Sequence, residues 1–270
     1  MKKILFPTDF SSSAGNALEF TLKLAQEFSA TVDVLHLYQV QMWLEGDMAP
    51  EMVLQRMEQL AKQAEEDIRS FLQAFTSDHI GKTIAIQSST IAREIVNQAE
   101  MGQYDAIFMG MQGEHATLEK IMGSVTTRTL NQAKCPVLAI PAEASYQSID
   151  KIAYATDLDT SDRVAVEQLM KIAGLLGAEV HFVHVETQPQ LGEMEDQVQL
   201  DNYPFDYVDF TILNNPSVVK GLDLYTEEKG IQVLALYKPK RPLWDRIFHN
   251  SVSKRLAFQS EIPLLVLQAE

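Results

Sequence analysis

Cysteine occurs once in the 270 residues, as Cys135, so no disulfide can close within the chain and the composition fits a reducing compartment. No apolar run approaches the roughly 20 residues that cross a bilayer. The opening Met1-Lys2-Lys3 leads through Ile4, Leu5 and Phe6 straight to Pro7, too short a core for a signal peptide. The expected location is therefore cytoplasmic. Positive charge is also scarce: 22 Lys and Arg face 37 Asp and Glu, for a net charge of −15. Such a field repels phosphate backbones and anionic lipid surfaces, so neither nucleic acid nor a membrane is an expected partner. A compact polyphosphate remains possible, given local help from main-chain N–H groups and helix N-termini. The Gly-x4-Gly-Lys-Ser/Thr loop that usually supplies this help is missing.

What is present is an ordinary soluble composition, 46% hydrophobic and 22% charged, in a chain long enough for two domains. The chain also repeats itself. Lys3-Ile4-Leu5-Phe6-Pro7-Thr8-Asp9 and Lys151-Ile152-Ala153-Tyr154-Ala155-Thr156-Asp157 open alike, 148 positions apart. Gly123-Ser124-Val125-Thr126 and Cys135-Pro136-Val137-Leu138 match Asn250-Ser251-Val252-Ser253 and Ile262-Pro263-Leu264-Leu265, 127 positions apart. The second copy is thus 21 residues shorter inside, the difference between the two offsets. A period this long indicates duplicated domains, since solenoid units are much shorter. The division expected is 1–144 and 149–270, with the boundary within 142–148.

In the first copy, strand-like runs at 3–6, 32–37, 83–87, 106–110 and 137–140 alternate with helical patterns, which implies a parallel sheet covered by helices. Ala14, Leu18, Thr21, Ala25 and Phe28 fall on one helix face, and Val53, Met57, Leu60, Ala64, Ile68, Phe71 and Phe75 on another. The second copy gives strands at 152–155, 180–185, 210–213, 233–237 and 264–267. Leu169, Ile172, Ala173 and Leu176 line its first helix, and Pro216 suits the first turn of another. Tyr203-Pro204-Phe205-Asp206-Tyr207 stands where the first copy has its long helix, so the missing residues belong to that helix.

The chemistry gathers after the fourth run. Gly110 and Gly113 are followed by nine residues and then Gly123-Ser124. Glycines let main chain approach phosphate and ribose oxygens closely while presenting N–H donors. A helix starting at Gly123 and Ser124 adds unpaired N–H groups and partial positive charge. Ser124 and Thr126 offer hydroxyls, although Ser124 reads equally well as a plain N-cap.

This Gly-x2-Gly-x9-Gly-Ser pattern, with Asp9 in Pro7-Thr8-Asp9, closely resembles the ATP-binding subclass of the universal stress proteins. The resemblance spans both halves and implies two tandem α/β domains, Rossmann-like and similar to adenine nucleotide alpha hydrolases. Each would hold a five-stranded parallel sheet flanked by helices, with the second domain shortened. By the same resemblance, Pro7, Thr8 and Asp9 line the adenine side and Leu37 holds the base. Met109 and Gln112 flank the ribose, and Gly110, Gly113, Gly123, Ser124, Val125 and Thr126 hold the phosphates of ATP, with Mg²⁺ as the expected companion. For Asp9, helix capping is the competing role. The last strands, Val137 to Ile140 and Leu264 to Leu267, would pair the two domains as an intramolecular pseudo-dimer, compatible with further homo-oligomers.

The second copy carries Tyr237, Lys240 and Asn250 in place of Gly110, Gly113 and Gly123, keeping only Ser251. One nucleotide per chain is therefore expected. Its loop is basic, with Lys238, Lys240, Arg241 and Arg246, and reads as a solvated face or an anion or partner site. His181 and His184 point to opposite faces of a strand and do not suit one metal; His36 reads as a satisfied core histidine, and Cys135 as packing. No metal site or catalytic residue is assigned. The functional expectation is a regulatory stress-response module that binds ATP. The alternatives are a slow ATPase or nucleotidyl- or phosphoryl-transfer enzyme, for which only Glu114 and His115 lie near the loop, and a scaffold that binds other proteins.

Overall fold

The structure, a computed structural model, describes residues 1–39, 50–112, 122–156, 163–187, 209–238 and 262–268. The first half runs β1 (Lys3–Thr8), α1 (Ser12–Phe28), β2 (Thr31–Tyr38), α2 (Pro50–Leu72), β3 (Ile80–Gln87), α3 (Ile91–Met101), β4 (Ala106–Gly110), α4 (Ser124–Gln132) and β5 (Val137–Ile140). The second runs β6 (Lys151–Ala155), α5 (Arg163–Leu176), β7 (Glu179–Glu186), β8 (Asp209–Asn214), α6 (Val218–Lys229), β9 (Val233–Lys238) and β10 (Leu264–Gln268). No described helix is long and apolar enough to cross a membrane.

All ten described strands form one sheet in the order β3-β2-β1-β4-β5-β10-β9-β6-β7-β8. Every neighbouring pair is parallel except β5 and β10, which meet antiparallel with Ala139, Leu138 and Val137 opposite Leu264, Leu265 and Val266. The pairing register recurs between halves. Ile4 pairs with Val32 as Ile152 pairs with Val180, 148 positions on. Leu35 pairs with Ile84 as Val183 pairs with Thr211, so the offset falls to 127 between β7 and β8. That is where the first half carries α2.

Helices cover both faces, which is why the strands read as nearly continuous apolar runs. On one face Ile4, Phe6, Leu138, Tyr154, Phe182 and Leu265 pack against residues of α1, α2 and α5. On the other Leu5, Leu35, Ile107, Val137 and Val266 pack against residues of α3, α4 and α6. Each core thus crosses the β5–β10 seam without a break. Two side-chain bonds tie α1 to the segment between β5 and β6: the Asn16 side-chain amide donates to Ala144 O at 2.7 Å, and the Tyr146 hydroxyl donates to Glu27 at 2.6 Å.

Local signals set the helix ends. The Ser11 hydroxyl accepts from Ala14 N–H at the start of α1, and Ser29 closes that helix in the left-handed conformation. Two expectations shift. α2 ends at Leu72, so Phe75 lies beyond it, although Phe75 still packs against the core and against Phe71. Pro216 precedes the helix rather than opening it, because the Ser217 hydroxyl takes the cap by accepting from Lys220 N–H.

At the amino ends of the strands, Asp33 is buried and accepts from Lys82 N–H at 2.7 Å and from the Tyr104 hydroxyl at 2.8 Å. Its carboxylate occupies the space where a side chain at Gly81 would stand. Burial and the adjacent Asp33 carboxylate hold the Tyr104 phenol above its ordinary range. In the second half the acid moves one strand outward: Asp209 on β8 accepts from Tyr225 and stands 2.8 Å from His181 Nδ1.

Two outcomes test this packing. Leu265→Ala should destabilise the whole chain by about 2–5 kcal/mol in denaturant unfolding, since it opens a cavity where both halves meet. Burial pushes the Asp223 carboxyl up to about 6, so folding favours its protonated form and stability falls as pH rises from about 4 to 6. Asp223→Asn should therefore raise the melting temperature above pH 6, with the gain vanishing below about pH 4.

Candidate functional site

In an open parallel sheet, ligands bind beyond the carboxyl ends of the strands. In the first half these ends carry Thr8 on β1, Leu37 on β2 and Gly110 on β4, three adjacent strands in the order β2-β1-β4. Pro7 and Thr8 close β1, Asp9 follows it exposed, and Met109 is buried one residue before the end of β4. The described candidates are thus brought to one edge of the sheet. Gly113, Glu114 and His115 lie outside the described residues, as do Asp157, 203–207, Lys240, Arg241, Arg246, Asn250 and Ser251.

The corner after β4 is built by hydrogen bonds. Met111 N–H donates to Ile140 O at 2.7 Å, extending the β4–β5 ladder by one residue. The chain then returns so that Gly123 N–H donates to Met111 O at 2.8 Å, and the Thr126 hydroxyl donates to Gly110 O at 3.0 Å. Gly123, in extended conformation and with no side-chain cap bond, is the N-cap of α4. Ser124 is therefore the first helical residue, exposed, and not the cap. The Gly123 N–H and the Thr126 hydroxyl shape the corner. The N–H groups of Ser124, Val125 and Thr126 belong to the first turn of α4, where a helix start leaves them without intrahelical acceptors.

Gly110 has a second reason to be glycine. A Cβ there would lie 3.3 Å from Gln112 O, 3.5 Å from Ser13 Oγ and 3.7 Å from Ala17 Cβ. The bare main chain lets α1 come close to β4. Tyr237 occupies the matching register position, pairing with Leu267 as Gly110 pairs with Ile140. Its half-buried ring packs at the rim of the core.

The β1–α1 turn is held by side chains. Asp9 accepts from Ser11 N–H at 3.1 Å and from the Ser11 hydroxyl at 2.7 Å. The helix cap is Ser11, so Asp9 orients the cap instead of supplying it. Phe10 sits between them with φ of 63°, a left-handed conformation that costs a bulky residue about 1–3 kcal/mol. Its N–H donates to the Thr8 hydroxyl, and its ring stacks on His36 at 4.2 Å.

His36 is half-buried, not a core residue, and its Nδ1 donates to Thr8 O at 3.0 Å; a carbonyl only accepts, which fixes the tautomer. The second half repeats this bond, with His184 Nδ1 on Thr156 O at 2.8 Å. Thr8 with His36 and Thr156 with His184 are each 28 positions apart, a sequence signal that pattern reading passed over. His181 and His184 make separate bonds at separate places. The Cys135 thiol is pushed up to about 11 by burial, which suits an inert packing role.

A profile described as Universal stress protein family matches residues 1–141, just over half of the chain. A universal stress protein of Methanocaldococcus jannaschii is 27% identical over 143 residues, covering 52% of this chain and 81% of that protein. One of Synechocystis is 29% identical over 146 residues, covering 52% of this chain and 85% of its own length. Among solved structures, a universal stress protein of Archaeoglobus fulgidus has the same fold along 98% of both chains, with a TM-score of 0.68 at 18% identity.

The His36 clip joins two strand ends and anchors Phe10. His36→Ala removes a hydrogen bond and a ring stack and should cost about 1–3 kcal/mol in denaturant unfolding. His184→Ala, which removes the bond in the other half, should cost about 1 kcal/mol.

Proposed function

The chain belongs to the universal stress protein family, and from that premise we propose that its first half binds one ATP and acts as a regulatory nucleotide-binding module. The observation that carries this reading is the corner at Gly110, Gly123 and Thr126. It ties the first turn of α4 to the carboxyl end of β4, beside β1 and one strand from β2. A triphosphate would accept from the main-chain N–H groups of Ser124 and Val125 and from the Ser124 hydroxyl, with Gly113 extending the loop. This places helix-dipole charge on an anion within an acidic protein. Thr8, Asp9 and Leu37 would face the adenine; Met109 and Gln112 would flank the ribose. The residues fit the group: small, rich in N–H donors, and without a carboxylate in the described part of the phosphate corner. Mg²⁺ would accompany the phosphates and offset their charge.

We read the two halves as duplicated modules, 1–144 and 149–270, paired through their last strands. The recurring registers and the paired His36 and His184 bonds support this reading. The second half, with Tyr237 in place of Gly110, serves as the structural partner.

Equilibrium dialysis of the purified protein against Mg²⁺ and ATP, with phosphate release followed in parallel, tests the proposal. One retained nucleotide per chain without turnover is expected, and Gly113→Val should abolish retention while Lys240→Ala leaves it unchanged. Steady phosphate release would assign an enzyme instead. Absence of retention would leave a protein-binding scaffold.

A further inference from the structure

One polar atom beside this corner has no structural partner. Ser13 is the second residue of α1, and its hydroxyl oxygen is buried with no hydrogen-bond partner. It lies 3.5 Å from the point where a side chain on Gly110 would begin. A buried hydroxyl left unpaired is destabilising, and such a group in a native structure calls for an explanation.

Packing alone does not supply one. The neighbouring inward positions of the same helix are Ala14 and Ala17, and alanine at 13 would fill the place without the penalty. The adjacent serines have other roles: Ser11 caps the helix, and Ser12 is exposed. Ser13 as a residue is only half-buried, so rotation about one side-chain bond carries its hydroxyl from the buried side to the rim of the turn. Across from it stands the end of β4, at Gly110.

We propose that Ser13 is a contact residue of the nucleotide site, its hydroxyl donating to a ribose or α-phosphate oxygen lodged against the main chain of Gly110. This rests on the assignment of the nucleotide to the first half. It adds a residue from the helix on the opposite face of the sheet from α4, so that the ligand is gripped from both layers.

Titration calorimetry of wild type and Ser13→Ala with Mg²⁺ and ATP, and with adenosine, tests it, with thermal unfolding of both proteins in the absence of ligand. The expected result is about tenfold weaker ATP binding by Ser13→Ala, one hydrogen bond's worth, with a melting temperature equal to or above that of wild type. A parallel loss with adenosine assigns the contact to the ribose; a loss with ATP alone assigns it to the phosphate. Unchanged ATP affinity with a raised melting temperature would make Ser13 a packing residue and overturn the inference while leaving the nucleotide site in place. Absence of binding by wild type would overturn both.

Discussion

The antiparallel pairing of β5 with β10 is the constraint on which the rest of the molecule depends. Five parallel strands on either side would each leave an apolar edge strand open, a standing invitation to aggregation. The seam pairs those two edges with buried side chains, Val137, Leu138 and Ala139 against Val266, Leu265 and Leu264. It joins both cores across the sheet. It also sets direction: because β5 and β10 run oppositely, the carboxyl ends of the first five strands lie at one edge of the sheet and those of the second five at the other. The two halves therefore cannot share a ligand at their strand ends.

That geometry makes the fate of each edge a local matter. In the first half, glycine at the end of β4 lets α1 and the corner after the strand close together, and α4 starts there with free N–H groups. In the second, Tyr237 fills the matching place. An acidic protein binds a polyphosphate only where fixed dipoles outweigh the long-range field. The first half has the features for this; the described part of the second has a ring at the rim of its core instead.

Much of the fold was legible because it rests on period and offset. Every described strand falls where apolar runs predict it, and the change of offset from 148 to 127 falls between β7 and β8, at the place where the first half carries α2. The positions of the described candidates at the strand ends were legible, the bonds they make less so. Gly123 N–H and the Thr126 hydroxyl turn inward to main-chain carbonyls, a partnership that depends on how the chain returns after β4. Asp9 holds the cap and does not form it. Phe10 in left-handed conformation and the orphaned Ser13 hydroxyl leave no pattern at all, since one is a backbone angle and the other the absence of a bond. The histidine clips did leave one, a threonine and a histidine at equal spacing in both copies.

Hydrogen exchange of the intact chain, compared with and without Mg²⁺ and ATP, tests the central claim most directly. The account predicts slowed exchange at the β1–α1 turn and at the start of α4, with the matching ends of β6 and β9 unchanged. Protection at β6 and β9 instead, or none at either edge, would contradict it.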